Sequence, residues 1–181
     1  MADILRMIVV LSALCGLSGF ALSYLKMVTA PVIEEQVLTY VQGPAIAGVF
    51  TDIDNQPIAD RKAFETEKGR VLVFPAMRDG KLVGVALEAK GKGYGGDVVV
   101  MTAINPDGTI KQIKVTEQAE TKGIGSKVAG TPSYWENYVG LDTSDALVLN
   151  QDVDAVTSAT VSSTALINAV NSAIEAYNAI P

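Results

Sequence analysis

Histidine is absent from the 181 residues of this chain, and cysteine occurs once. Without imidazole the chain cannot build a serine–histidine–aspartate triad or an acid–base mechanism that depends on histidine. With a single thiol it can form no disulfide framework of its own. It also lacks the residues for a Cys/His zinc site or for an iron–sulfur cluster held by this chain alone. Mechanisms that need imidazole, and structural or metal sites that need several thiols, are therefore excluded.

Clusters of basic residues are also missing. The 14 Lys and Arg residues are scattered along a chain that contains 20 Asp and Glu residues and carries a formal net charge of −6. Because nucleic-acid binding needs a concentrated positive surface, the sequence predicts no nucleic-acid partner. With 49% hydrophobic residues, the chain is long enough for a single compact domain plus an appendage.

The appendage is an uncharged run from Met7 to Leu25, bounded by Arg6 and Lys26. As a helix this run would be about 28 Å long at about 1.5 Å per residue, close to the hydrocarbon thickness of a bilayer. A cleaved signal peptide is the alternative, but the run is longer than the roughly 7–15 apolar residues typical of one. The sequence therefore favours a retained membrane anchor with the N-terminus inside and the rest of the chain outside.

These patterns divide the chain into three parts. Residues 1–30 are expected to form the transmembrane anchor, residues 31–69 a stalk and connection, and residues 70–181 the folded domain. The stalk begins with a helical pattern, VIEEQVLTYV, and continues into polar sequence that is interrupted by proline.

The third part alternates short apolar runs with turn sequences. Asp79-Gly80 and NPDG at 105–108 are typical of tight turns between antiparallel strands. Four runs around these turns predict an antiparallel meander, and DALVLN at 145–150 predicts a last strand. The C-terminal segment has apolar residues at helical spacing, which predicts an amphipathic helix packed on the sheet. The expected fold class is therefore α+β, with one antiparallel sheet and packed helices.

Glycine is concentrated in GKGYGGD, residues 91–97, between the two pairs of strands. Two interpretations are open: a flexible connection, or a backbone that lets a ligand approach closely. In a later loop Gly123 and Gly125 flank Ile124, so that this loop is expected to expose backbone N–H groups and to present one aliphatic side chain.

Small hydroxyl residues crowd the start of the C-terminal helix between Thr157 and Ser163. The first turn of a helix carries unpaired N–H groups and the positive end of the helix dipole, so this is a favourable place for an anion. Helix capping explains one or two of the hydroxyls, for example those of Ser162 or Ser163. It does not explain why Asp154 is followed at fixed distances by hydroxyl residues and by Ala159.

The segment DAVTSAT, from Asp154 to Thr160, matches the motif D-x-x-[ST]-[GS]-A-[TS] that flavin transferases recognise. On this motif the chain resembles the FMN-binding domains of the G subunit of the Rnf complex and of the C subunit of the Na⁺-translocating NADH:quinone oxidoreductase. The resemblance implies that a transferase esterifies the phosphate of FMN to Thr160. The other residues that it assigns to this motif are Asp154, Thr157, Ser158 and Ala159.

Two further segments carry the resemblance. The GYGG segment, residues 93–96, is similar to the family's Gly-Tyr-x-Gly sequence. The ETKGIG loop, residues 120–125, is similar to the family's E-T-P-G-L-G loop, with Lys122 in place of proline and Ile124 in place of leucine. The resemblance implies that the flavin ring lies against both segments. The residues that it assigns to cofactor binding there are Tyr94, Gly95, Glu120, Thr121, Gly123, Ile124 and Gly125.

The function implied by the resemblance is electron transfer by a membrane-anchored subunit with covalent FMN. The Rnf complex transfers electrons between ferredoxin and NAD⁺ and couples this transfer to Na⁺ or H⁺ translocation. The implied partners are other membrane subunits of the complex that carry flavins and iron–sulfur clusters, the flavin transferase, and membrane lipid. The implied location is the inner (plasma) membrane, with a single span and the soluble domain on the periplasmic, extracytoplasmic side.

Three alternatives remain. The first is the C subunit of the quinone reductase, which fits less well because it is a longer chain. The second is an anchored binding module without flavin, in which the hydroxyls only cap a helix. The third is a standalone flavin reductase. We assign no catalytic or metal-binding residues and expect no independent turnover, although the chain would belong to an ion-translocating oxidoreductase.

Overall fold

The computed structural model describes residues 2–51, 53–66 and 69–180. The chain divides into two compact units, residues 1–40 and residues 41–181. In chain order the elements are α1 (Ala2–Val37), one π-helical turn (Leu38–Gln42), α2 (Gly43–Val49), β1 (Lys62–Thr66), β2 (Gly69–Arg78), β3 (Lys81–Lys92), β4 (Asp97–Ile104), β5 (Ile110–Glu117), α3 (Ser126–Ala129), α4 (Pro132–Trp135), one 3₁₀ turn (Glu136–Tyr138) and α5 (Thr160–Asn178).

Helix α1 is the predicted long apolar helix. Its large apolar side chains are exposed along its length, including Leu17 at 68% and Phe20 at 71%. Such a surface is stable in apolar surroundings and costly in water. Within the described ranges, the helical stretch Ala2–Val49 alone is long and apolar enough to cross a membrane, and a signal sequence near the N-terminus shares these properties.

Strands β1 to β5 form one antiparallel sheet in sequential order. The predicted meander corresponds to β2–β5 and is confirmed by their pairing. The turn between β2 and β3 is the predicted one, because Asp79 and Gly80 have positive φ values of 50° and 72°. Strand β1 adds an edge strand that the polar sequence of this segment did not predict, since most of its side chains are exposed.

Helix α5 packs on one face of the sheet and forms the main core with it. Leu166 and Val170 of this helix are fully buried together with Val100 of β4. The closest approach is at Gly91 of β3, where a Cβ atom would overlap the carbonyl oxygen of Ala165. The predicted amphipathic helix is therefore confirmed, and its position on the sheet is fixed by a direct contact between backbones.

The opposite face of the sheet is covered in part by residues near α2. Gly84 of β3 faces this side, and a Cβ there would overlap the ring of Phe50. Nζ of Lys111 lies 4.7 Å from the centroid of the same ring. On the same face Nε2 of Gln42 donates to Oε2 of the buried Glu88 at 2.5 Å. The sheet is therefore buried on both sides in its centre.

The strand prediction for residues 145–150 is wrong, because these residues form a loop with an isolated bridge between Leu149 and Val153. The backbone of Leu147 pairs instead with a side chain of α5. Its N–H donates to Oδ1 of Asn171 at 2.8 Å, and Nδ2 of Asn171 donates to its carbonyl oxygen at 2.9 Å. A side-chain amide thus takes the place of a neighbouring strand, which an apolar run in the sequence does not reveal.

Candidate functional site

Thr160 is the first residue of α5, and its side chain is exposed. The N-cap residue is the buried Ala159, which makes no side-chain hydrogen bond to the first turn. The interpretation of Ser162 or Ser163 as helix caps is therefore wrong. Because no side chain caps the helix, its first N–H groups are available to an anion beside the Thr160 hydroxyl.

The loop that precedes α5 is held by hydrogen bonds at its backbone. Oγ of Ser163 accepts the N–H of Val156 at 3.1 Å, and the hydroxyl of Tyr134 donates to the carbonyl oxygen of Asp154 at 2.9 Å. Ser158 has a φ of 68°, which is uncommon for a residue with a side chain. These contacts keep the exposed Ser158 and the residues around it on the surface in front of the helix.

Tyr134 is a residue of this site that no sequence pattern predicted. Its ring meets the ring of Tyr138 edge to face at a centroid distance of 6.2 Å. Burial raises the pKa of Tyr138, so its hydroxyl stays neutral at ordinary pH. Aromatic residues at this helical spacing indicate packing, and nothing in the spacing shows that one hydroxyl reaches the backbone of Asp154.

Glu120 joins the three segments that carry the motifs. Its side chain is 7% exposed. Oε1 accepts the N–H of Gly95 at 3.1 Å, and Oε2 accepts the hydroxyl of Ser162 at 2.5 Å. The ETKGIG loop, the GYGG segment and the first turn of α5 therefore meet around one carboxylate.

Two glycines of these segments are packed directly against Glu120. A Cβ at Gly93 would overlap Oε1 and would lie 2.8 Å from the carbonyl oxygen of Gly96. A Cβ at Gly125 would overlap Oε2 and would lie 2.7 Å from Oγ of Ser162. The GYGG segment is a closed turn, in which the N–H of Gly93 donates to the carbonyl oxygen of Gly96 at 2.9 Å. The interpretation as a flexible connection is therefore wrong, and the close approach that glycine permits here is made by protein atoms.

Apolar side chains stand out from both loops. Tyr94 is 79% exposed and Ile124 is 49% exposed, which confirms that the ETKGIG loop presents its aliphatic residue. Lys122, which stands where the family has proline, is also exposed. The loop is ordered without that proline, because Gly123 has a positive φ of 81° and its N–H donates to Oγ of Ser126 at 2.8 Å.

The remaining candidate residues lie on the surface of the same segments. Thr121, Thr157 and the side chain of Asp154 are exposed. Over residues 2–51, 53–66 and 69–180, no group of three or more acidic, histidine or cysteine side chains is arranged to hold a metal ion.

A family model described as an FMN-binding domain matches residues 93–175. The matched segment covers less than half of the chain. It begins at Gly93 of the GYGG segment and ends within α5, so it contains all the segments that meet at Glu120.

Curated relatives of the chain are G subunits of ion-translocating complexes. The chain is 37% identical over 94 residues to the G subunit of the ion-translocating oxidoreductase complex of Cereibacter sphaeroides, an alignment that covers 51% of this chain and 43% of the relative. It is 27% identical over 186 residues to the G subunit of the Na⁺-translocating ferredoxin:NAD⁺ oxidoreductase complex of Acetobacterium woodii, with coverage of 93% of this chain and 88% of the relative. The chain thus spans less than half the length of the first relative and most of the second.

A solved structure shares the fold of this chain over most of its length. The C subunit of the Na⁺-translocating NADH-quinone reductase from Parabacteroides distasonis superimposes with a TM-score of 0.53 at 17% identity, over 70% of each chain. This likeness, together with the five-stranded antiparallel sheet and its helices, confirms the predicted α+β fold.

The exposed residues of these segments offer contacts for both ends of an FMN molecule. The exposed Thr160 and the uncapped first turn of α5 offer a hydroxyl and N–H donors to a phosphate. The exposed side chains of Tyr94 and Ile124 offer apolar surface to a flat aromatic ring. Glu120 connects the segments that carry these two features.

Proposed function

We propose that this chain is a membrane-anchored electron-transfer subunit that carries FMN as a phosphoester on Thr160, within an ion-translocating complex of the Rnf type. The observation that carries the proposal is an exposed threonine at the uncapped N-terminus of α5, inside the residues that match the FMN-binding domain. The G-subunit relatives, one of them aligned over 93% of this chain, support the assignment to such a complex.

Attachment of the cofactor uses the position of Thr160 rather than a catalytic group of this chain. A separate flavin transferase recognises the segment from Asp154 to Thr160, and Oγ1 of Thr160 forms the new P–O bond to the FMN phosphate. The donor is a flavin dinucleotide bound by the transferase: its pyrophosphate P–O bond breaks, the nucleoside monophosphate leaves, and the hydroxyl proton is released. The phosphate remains negatively charged, and the first-turn N–H groups and dipole of α5 stabilise it.

The ring of the cofactor lies against the GYGG segment and the ETKGIG loop. Tyr94 and Ile124 cover its faces or edges with apolar surface. When bound, FMN supplies electron transfer in steps of one or two electrons, while the protein holds and tunes it. No substrate pocket is needed for this role, so we assign the chain as a subunit without independent turnover.

The assignment of a complex and of its reaction follows from the names of the relatives. In this proposal the complex exchanges electrons between ferredoxin and NAD⁺ and moves Na⁺ or H⁺ across the membrane. The partners of the chain are other membrane subunits with flavins and iron–sulfur clusters, and α1 anchors it in lipid of the plasma membrane. The FMN-binding domain lies on the extracytoplasmic side, where the flavin transferase acts.

Intact-mass measurement tests the attachment site. The full chain is co-expressed with its flavin transferase, beside the variants Thr160→Ala and Thr164→Ala. Thr164 is an exposed threonine one turn along the same helix and serves as the matched control. We expect one FMN minus one water on the wild type and on Thr164→Ala, and no adduct on Thr160→Ala.

Two results would contradict the proposal. One is an adduct that persists in Thr160→Ala, which would place the flavin elsewhere. The other is an unmodified chain purified from its own membrane, which would favour an anchored binding module without flavin. Efficient turnover by the purified chain with a soluble electron donor would instead favour a standalone reductase.

A further inference from the structure

The carboxylate of Glu120 is enclosed by the protein rather than turned toward the surface. It is 7% exposed, and its two oxygens accept hydrogen bonds from two different segments, Gly95 of the GYGG segment and Ser162 of α5. Each oxygen is also covered by a glycine, Oε1 by Gly93 and Oε2 by Gly125. A carboxylate in such surroundings has little room to touch a ligand directly.

Glycines at two positions beside this carboxylate, Gly93 and Gly125, leave space for it. Gly93 and Gly125 have φ values outside the left-handed region, so the turn geometry does not by itself require glycine at either position. What requires glycine is space, since a Cβ at either site would overlap an oxygen of Glu120. Both loops therefore have glycine where a side chain would collide with this one charged group.

The bond to Ser162 reaches the helix turn that carries the attachment site. Ser162 is the third residue of α5, two positions after Thr160. A buried hydrogen bond to a charged acceptor is stronger than one between neutral groups and is costly to break in a buried site. The position of this turn relative to the two loops is thus set through Glu120.

We infer that Glu120 is a positioning residue, which holds the Thr160 turn in register with the GYGG segment and the ETKGIG loop. This inference rests on the proposed attachment of FMN to Thr160 and gives Glu120 a role other than contact with the ring. The transferase must meet Thr160 in one orientation while the flavin ring meets the two loops. Glu120 makes both requirements compatible, because it fixes the three segments to each other before the cofactor arrives.

The rate of FMN incorporation into the full chain by purified flavin transferase tests this role. Glu120→Ala removes both hydrogen bonds, and Ser162→Ala removes the one that reaches the helix. Glu120→Gln is the conservative variant, because its amide can still accept from Gly95 and can donate to the oxygen of Ser162. Asn171→Ala is the matched control, since it removes two buried hydrogen bonds of α5 at Leu147, outside the site.

We expect Glu120→Ala and Ser162→Ala to incorporate FMN about tenfold more slowly or worse, since small displacements of a reacting group cost this much or more. Glu120→Gln should recover most of the rate, and Asn171→Ala should keep the wild-type rate despite a lower melting temperature. Equal slowing in Asn171→Ala and Ser162→Ala at matched melting temperatures would overturn the inference, as would wild-type rates in Ser162→Ala. A wild-type chain that takes up no FMN would overturn the proposed function itself, and the inference with it.

Discussion

Glu88 and Glu120 are two buried carboxylates whose surroundings differ. Glu120 is bonded at both oxygens across the functional site, whereas Glu88 lies on the sheet face that α5 does not cover and accepts a bond from Nε2 of Gln42. Burial raises the pKa of Glu88 above its ordinary value near 4.5, and the charge of Glu117 adds to this. The Gln42 bond and the charge of Lys90 act in the opposite direction but are smaller.

The raised pKa of Glu88 predicts that the stability of the fold depends on pH. Because the pKa of Glu88 is higher in the folded chain than in the unfolded chain, its contribution is fully present below about 4.5 and is lost as pH rises through the folded pKa. We expect Glu88→Gln to remove this loss, since an amide stays neutral and can still bond to Gln42. The measurement is the free energy of unfolding of the full chain in detergent against pH.

The control for this measurement is Glu65→Gln, at an exposed position of β1. It should leave the loss of stability between pH 4.5 and neutrality as it is in the wild type. An identical pH profile in Glu88→Gln and wild type would show that Glu88 is not the group responsible.

At the scale of elements, α5 combines three roles along its length. Its first turn carries Thr160, its middle packs against β3 and β4, and Asn171 supplies the hydrogen bonds that order the backbone at Leu147. One helix thus connects the attachment site, the core and the loop that follows the 3₁₀ turn.

The variant Asn171→Ala isolates the last of these roles. It leaves the N–H and the carbonyl oxygen of Leu147 without their partner, and we expect the free energy of unfolding to fall by about 2–3 kcal/mol. Thr164→Ala, on the exposed side of the helix, should change it by less than about 0.5 kcal/mol. Denaturant titration of the full chain measures both, and a loss in Asn171→Ala as small as that of the control would contradict this account.

Sequence patterns predicted the elements that depend on local chemistry. The turn at Asp79-Gly80, the meander and the C-terminal helix follow from backbone preferences and apolar spacing, and all three are present. The patterns could not show which side chain satisfies a distant backbone group. For this reason they missed the amide of Asn171 at Leu147 and the hydroxyl of Tyr134 at Asp154.

The same limit applies to the candidate site. The motif residues were found as three separate stretches, and the glycines were open to two interpretations. Their connection depends on Glu120 meeting Ser162, which is distant in sequence, and no local pattern encodes such a contact. The sequence could therefore predict that Glu120 belongs to the site, but not that its carboxylate joins the three segments.

At the scale of the whole molecule, the sequence has an apolar helix near its N-terminus and a later segment, residues 93–175, that matches an FMN-binding domain. The proposed function requires that the domain lie on the side of the membrane where the flavin transferase acts. The few charges that flank the apolar run, Arg6 and Lys26 among them, give a weak signal for orientation.

Protease treatment of intact spheroplasts tests this orientation. We expect the FMN-binding domain to be digested from outside while a cytoplasmic marker protein survives. Protection of the domain until the membrane is opened would contradict the proposed topology. The mass of the recovered chain also shows whether the N-terminal helix is retained, since a cleaved signal sequence would leave a shorter product.

The contact between the backbones of Gly91 and Ala165 has a consequence for electron transfer. At this contact no side chains lie between the helix and the sheet. The helix therefore cannot shift along the sheet by changes in side-chain packing there. A redox group esterified at Thr160 would be attached to the same helix as Ala165. Sliding of this helix along the sheet would therefore contribute little to the protein rearrangement that accompanies each electron transfer.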